Sequence, residues 1–175
     1  PPPAVLALLV AFIGVWGLDG LNSYLTFFPG APHLYEPRNW LRMSTGVLNG
    51  VALISFVYPV FRFTLWSESA AEPVLRNVGE LAMIVVAAAG IVLAVQAEIG
   101  FLLYPLAILS SLGVLLLLTL LNAMIAAIVM RREGMARTWR QALVPLSAGL
   151  AMGLIEIAAL DLLRAWLVAR FGLVI

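Results

Sequence analysis

Between Gly17 and Arg42 the chain gathers Asp19, Asn22, His33, Glu36, Asn39 and Arg42, with long apolar runs on either side. A carboxylate at a helix end needs water or a donor, and a guanidinium offers a planar fork of donors that matches it. Asn22 and Asn39 carry both donors and acceptors for the bonds that the charged groups leave open. Asp19, Asn22, Glu36, Asn39 and Arg42 can therefore act as a polar cluster that locks two helices together, which is the leading reading. The same set can instead hold a ligand or an ion. His33 has only Glu36 and Asp19 as companions, short of a zinc-type ligand set, so it reads as a surface histidine.

A second set lies toward the end of the chain. Glu156, Asp161 and Arg164 stand inside an otherwise apolar run. Asp161 and Arg164 are three residues apart and can neutralise each other on one helix face. Glu156 has no such local partner. In hydrocarbon a carboxylate marks a proton carrier or a cation ligand by default. The structural alternative is a protonated carboxyl hydrogen-bonded to Asn49, Asn122 or Ser147 of a neighbouring helix. Asn49 and Asn122 themselves read as interhelical hydrogen-bonding groups.

Little other chemistry is on offer. The chain has no Cys and one His, which removes most nucleophile–base pairs and leaves the redox compartment illegible. It carries no phosphate-binding loop, dinucleotide fingerprint, zinc-protease helix or nucleophile elbow. The residues name no cofactor and no metal, and an enzyme acting alone is the weakest reading.

The elements that must position these residues follow from composition. Of 175 residues 63% are hydrophobic and 11% charged, and mean hydropathy is +1.07. Soluble domains lie near half apolar and a quarter charged, so the expected class is an all-α integral membrane protein, one multi-pass domain over residues 1–175 in the cell membrane. Its first partner is the lipid bilayer. A net charge of +1 argues against nucleic acid as a partner, since nucleic acid demands clustered positive charge; all ten basic residues are Arg. Pro1-Pro2-Pro3, without Met or a charged leader, does not read as a signal peptide and suggests a trimmed start.

Five spans are expected, over about residues 4–22, 38–66, 73–96, 101–130 and 139–170. The first either starts upstream or continues through Asp19 and Asn22 to Tyr24. Pro29, Gly30, Pro32 and Pro37 break the chain after it, and Tyr24, Phe27, Phe28, Tyr35 and Trp40 place that break along the membrane surface. Pro59 should kink the second helix. Pro73 suits the first turn of the third, with Glu80 favoured near its N-terminus by the helix dipole. Gly134 should stop the fourth, and Thr138-x-x-Gln141 resembles a capping box for the fifth. Gly46/Gly50 and Gly149/Gly153 are small-xxx-small pairs that let another helix approach closely. Arg131, Arg132, Arg137 and Arg140 put the link between helices four and five in the cytoplasm. The 67–72 link then shares that face, and the Gly17–Arg42 connection and the C-terminus lie opposite.

Asp19-Gly20-Leu21-Asn22, Leu34-Tyr35-Glu36-Pro37-x-Asn39-x-Leu41-Arg42 and Thr45-Gly46-x-x-x-Gly50 resemble the second part of an uncharacterised prokaryotic family of polytopic membrane proteins, known only as a domain of unknown function. The resemblance is local, covering roughly residues 14–50. It implies a membrane location and no particular chemistry. The family also carries a cysteine-rich motif ahead of this region, which this chain does not contain. Three functions remain open: a structural or assembly subunit bound to other membrane subunits, a small transporter or proton-handling protein centred on Glu156, and a metal protein or enzyme completed by a segment upstream of Pro1.

Overall fold

The computed structural model describes residues 1–28, 30–68 and 73–172. Pro29, among the expected breaks, and residues 69–72 of the second link lie outside the described residues. The described residues form five helices: α1 (Pro3–Leu25), α2 (Asn39–Leu65), α3 (Val78–Gln96), α4 (Gly100–Val129) and α5 (Trp139–Phe171). All five are long and apolar enough to cross a membrane. The shortest, α3 with 19 residues, rises ~28 Å, close to the hydrocarbon thickness of a bilayer.

Helix ends explain where the expected spans shift. Pro3 opens α1, where a missing N–H costs nothing. The helix then runs past Asp19 and Asn22 to Leu25, the longer of the two expected courses. Thr26 caps it by donating its hydroxyl to the Ser23 carbonyl. Helix α3 begins five residues later than expected. Pro73 is not in its first turn, because Asn77 captures the N-cap position by accepting from the Glu80 N–H at 2.8 Å. Glu80 reaches back to accept from the Arg76 N–H at 2.8 Å, so its carboxylate sits on the positive helix end as expected.

Helix α4 ends differently from the sequence expectation. Arg131 adopts the left-handed conformation (φ 53°) that glycine usually supplies. Its N–H bonds the Ile128 carbonyl, and the Arg132 N–H bonds the Ala127 carbonyl. This closure stops α4 before Gly134, whose own N–H goes instead to the Thr64 carbonyl at 2.8 Å. Thr138 holds the N-cap position of α5 without a side-chain cap bond. The box does not form as expected: Gln141 Oε1 accepts from the N–H of Arg137, one residue before the cap, at 2.7 Å.

The helices group into two compact units, Pro1–Pro59 with Ala71–Ile108, and Val60–Ala70 with Leu109–Ile175. One boundary falls at Pro59, which α2 carries within its length. The first unit packs Val5 and Leu9 of α1, Ala52 of α2 and Leu81 of α3 into a core, with Leu75 beside them. In the second unit the buried set is rich in alanine, with Ala123, Ala126, Ala127, Ala136 and Ala142. Small side chains there let backbones approach. The end of α2 is stitched to the α4–α5 link: Ala136 N–H bonds the Leu65 carbonyl and Ser67 N–H bonds the Ala136 carbonyl. Trp66 sits edge-on to both Phe61 and Trp139 at that junction.

Candidate functional site

The polar cluster at the α1–α2 corner exists, with partners different from those expected. Three residues on the last two turns of α1 are buried: Asp19, Asn22 and Ser23. Thr45 on α2 joins them, 3% exposed. Asn22 holds the returning connection by its backbone. It accepts from the Leu34 N–H at 2.6 Å and the Tyr35 N–H at 3.4 Å, and donates to the Tyr35 carbonyl at 2.9 Å. Amide side chains do this well because one end accepts while the other donates.

That clamp delivers Tyr35 to Asp19. The Tyr35 hydroxyl donates to Asp19 Oδ1 at 2.5 Å, and the Thr45 hydroxyl is within 3.3 Å of Oδ2. The hydrogen bond to Asp19 raises the Tyr35 phenol above its ordinary value, with burial and the carboxylate charge acting in the same direction. Arg42 does not fork onto Asp19 as the sequence suggested. Its Nε donates to Ser23 Oγ at 3.0 Å, because Ser23 lies one turn beyond Asp19 on the same α1 face.

Glu36 and Asn39 stand outside this network. Glu36 is exposed and pairs with His33, Nε2 to Oε1, at 3.3 Å. Asn39 is exposed at the first turn of α2. Among the described residues no three His, Cys, Asp or Glu side chains gather in a way that could hold a metal. The sequence reading missed Ser23, Thr45 and Tyr35 as participants. Helix spacing could have found the first two, since Asp19 and Ser23, and Arg42 and Thr45, are one turn apart. Tyr35 lies in irregular chain, where spacing carries no such signal.

The second set is resolved in part. Glu156 accepts from Asn122 Nδ2 at 3.0 Å, so Asn122 is the partner among the three candidates. Asn122 is 3% exposed, whereas Glu156 is exposed near the midpoint of α5. Ser147 is turned instead to the Val144 carbonyl of its own helix. Asn49 is buried, and its Oδ1 has no partner among the described residues. Asp161 and Arg164 are both exposed on the distal half of α5.

The two glycine pairs separate sharply. A Cβ on Gly149 would fall 2.5 Å from the Ala123 nitrogen and the Thr119 oxygen, and one on Gly153 would fall 3.3 Å from Leu118 Cβ. This pair is where α5 meets the α4 backbone. Around Gly46 and Gly50 nothing lies within 4 Å of a Cβ position. Among the described residues that face is open, so the close approach it permits is not used there.

Chemically, the corner is a set of hydrogen bonds around one buried carboxylate that leaves part of its accepting capacity open, and the seam is a single amide–carboxylate contact beside a glycine face. Comparison with known proteins adds no relative: no family model, curated protein or solved structure matches the chain.

Proposed function

We propose that this chain is a multi-pass protein of the cell membrane that acts as a structural or assembly subunit of a larger membrane complex. The carrying observation is the distal half of α5, from Leu154 to Trp166, which is exposed on every side while bearing Glu156, Asp161 and Arg164. Leu160 and Leu162 in the same stretch are 65% and 71% exposed. Lipid suits the leucines but not a carboxylate such as Glu156 near the midpoint of the helix, a group that costs about 3 kcal/mol at the centre of a bilayer. A neighbouring subunit that covers this half-helix answers both needs.

The α1–α2 corner supports the same reading. Asp19, Asn22, Tyr35, Arg42 and Thr45 belong to the stretch that resembles the uncharacterised membrane-protein family. They hydrogen-bond within this one corner, as a lock on a helical hairpin would. The backbone stitching of the α2 end to the arginine-rich link is what a shared membrane face for the two links would produce.

A photo-reactive amino acid at Leu160, activated in native membranes, tests the proposal. A cross-linked species of discrete mass above the monomer is expected. A chain that cross-links to lipid alone and runs as a monomer in mild detergent overturns it.

A second reading, proton or cation handling at Glu156, is favoured by its single amide partner in the middle of a span. Proteoliposomes with an entrapped pH-sensitive dye decide it: Glu156→Gln should abolish proton uptake. Uptake that is absent from the native chain, or unchanged by the substitution, removes this reading.

A further inference from the structure

Trp16, Asp19 and Ser23 recur every three or four residues along α1, with Tyr24 beside them and Phe27 in the turn that follows the helix. Together with Arg42 of α2 they line an open cavity of about 360 Å³ where α1 enters its connection. Asp19 and Ser23 are nine-tenths buried, while the three aromatic rings are exposed.

The cavity holds two opposite charges that do not neutralise each other. Arg42 commits Nε to Ser23 Oγ, which fixes the guanidinium, and its terminal nitrogens make no hydrogen bond among the described residues. Asp19 accepts from the Tyr35 hydroxyl on Oδ1. The Thr45 hydroxyl near Oδ2 has one proton and the Arg42 carbonyl competes for it at 3.2 Å, so the carboxylate keeps at least half of its accepting capacity. No ion pair joins the two side chains. A ligand that completes both carries an anionic and a cationic group a few ångströms apart.

The surroundings specify that ligand further. A guanidinium presents paired donors suited to phosphate, and the faces of Trp and Tyr attract an ammonium group. Helix α1 is long enough to span, so its aromatic-rich end lies at the depth of lipid headgroups. We propose that this cavity binds the zwitterionic headgroup of an amine-bearing phospholipid, its phosphate on Arg42 and its ammonium against Asp19 and the rings. The proposal rests on the membrane-spanning part of the reading above and is independent of the assembly role.

The test uses the full chain, delipidated in detergent, with phosphatidylethanolamine and phosphatidylglycerol supplied at equal concentration and retained lipid counted by native mass spectrometry. Phosphatidylethanolamine should be preferred at least about tenfold, and Arg42→Gln and Trp16→Ala should each lower its retention about tenfold. Both side chains are exposed, so circular dichroism should show both variants folded. Equal retention of phosphatidylglycerol, or retention unchanged in both variants, overturns the site. If soluble phosphoethanolamine is retained and displaces the lipid, the site belongs to a free zwitterion and the lipid assignment falls. Alkaline carbonate extraction separates the two levels. A chain that stays in the membrane yet shows no preference loses only the headgroup site, and one that is extracted loses the membrane reading too.

Discussion

Gly46/Gly50 on α2 and Gly149/Gly153 on α5 have the same spacing and sit in helices of the same apolar kind. Their surroundings are opposite. At Gly149 the missing side chain is replaced by the backbone of α4, with Thr119 and Ala123 where a Cβ would stand. At Gly50 the corresponding space is open. A small-residue pair therefore permits an approach without causing one. What accompanies the approach of α4 to Gly149 is the rest of that seam: Ala123 against it, Ala126 and Ala127 buried further along α4, and Asn122 reaching Glu156.

The largest effect that could break this contrast is Gly149→Leu. The neighbours are backbone atoms and cannot move aside, so a loss of about 3 kcal/mol is expected. Gly50→Leu should leave the isolated chain as stable or more so by about 1 kcal/mol, since leucine is the better helix former. Reversible unfolding in mixed micelles measures both. Equal destabilisation would mean that the space around Gly50 is filled after all. If Gly50→Leu is silent alone yet lowers the yield of the Leu160 cross-link, the open pair belongs to the assembly surface.

A second contrast sets the α1–α2 corner against the α4–α5 seam. Asn22 and Asn122 are equally buried, but the first holds three backbone groups and the second holds one carboxylate. Asn22→Ala should cost roughly 2–4 kcal/mol, and Asn122→Ala about 1 kcal/mol. Hydrogen exchange should open the 31–36 backbone in the first variant alone. If the order of the two costs is reversed, the corner is not the stronger lock.

The smallest effect expected is at Tyr35, and its sign with pH is fixed. Its phenol is raised in the folded state above the ordinary 10.0. The bond to Asp19 therefore stabilises fully below the value of the unfolded chain, and that contribution fades as pH rises through the raised one. Unfolding followed from pH 8 upward should show a decline specific to the native chain and absent in Tyr35→Phe. A parallel decline in both would exclude Tyr35 as its source.

Much of the fold was legible in the residues. Runs of Leu, Val, Ile and Ala long enough for hydrocarbon identified all five helices, because length and apolarity alone set whether a helix can span. The ends were less legible. Asn77 displaced Pro73 as the start of α3, and Arg131 took the left-handed turn expected of Gly134, since several residues compete for each cap and neighbouring backbone decides among them. The corner was legible as a place and misread as a wiring. Asp19 and Arg42 invite a charged pair by type, whereas the connection brought Tyr35, and α2 brought Thr45, to the carboxylate and left Ser23 for the guanidinium.

The amino-acid sequence by itself determined which segments prefer hydrocarbon and which side chains are too polar to lie in it unaccompanied, because transfer free energy belongs to the residue. Only the tertiary structure decided who accompanies whom: Tyr35 with Asp19, Asn122 with Glu156, Gly149 with the α4 backbone and, among the described residues, nothing with Gly50. Hydrogen bonds and close packing act over a few ångströms, and residues far apart in the chain reach that distance only once the helices have docked.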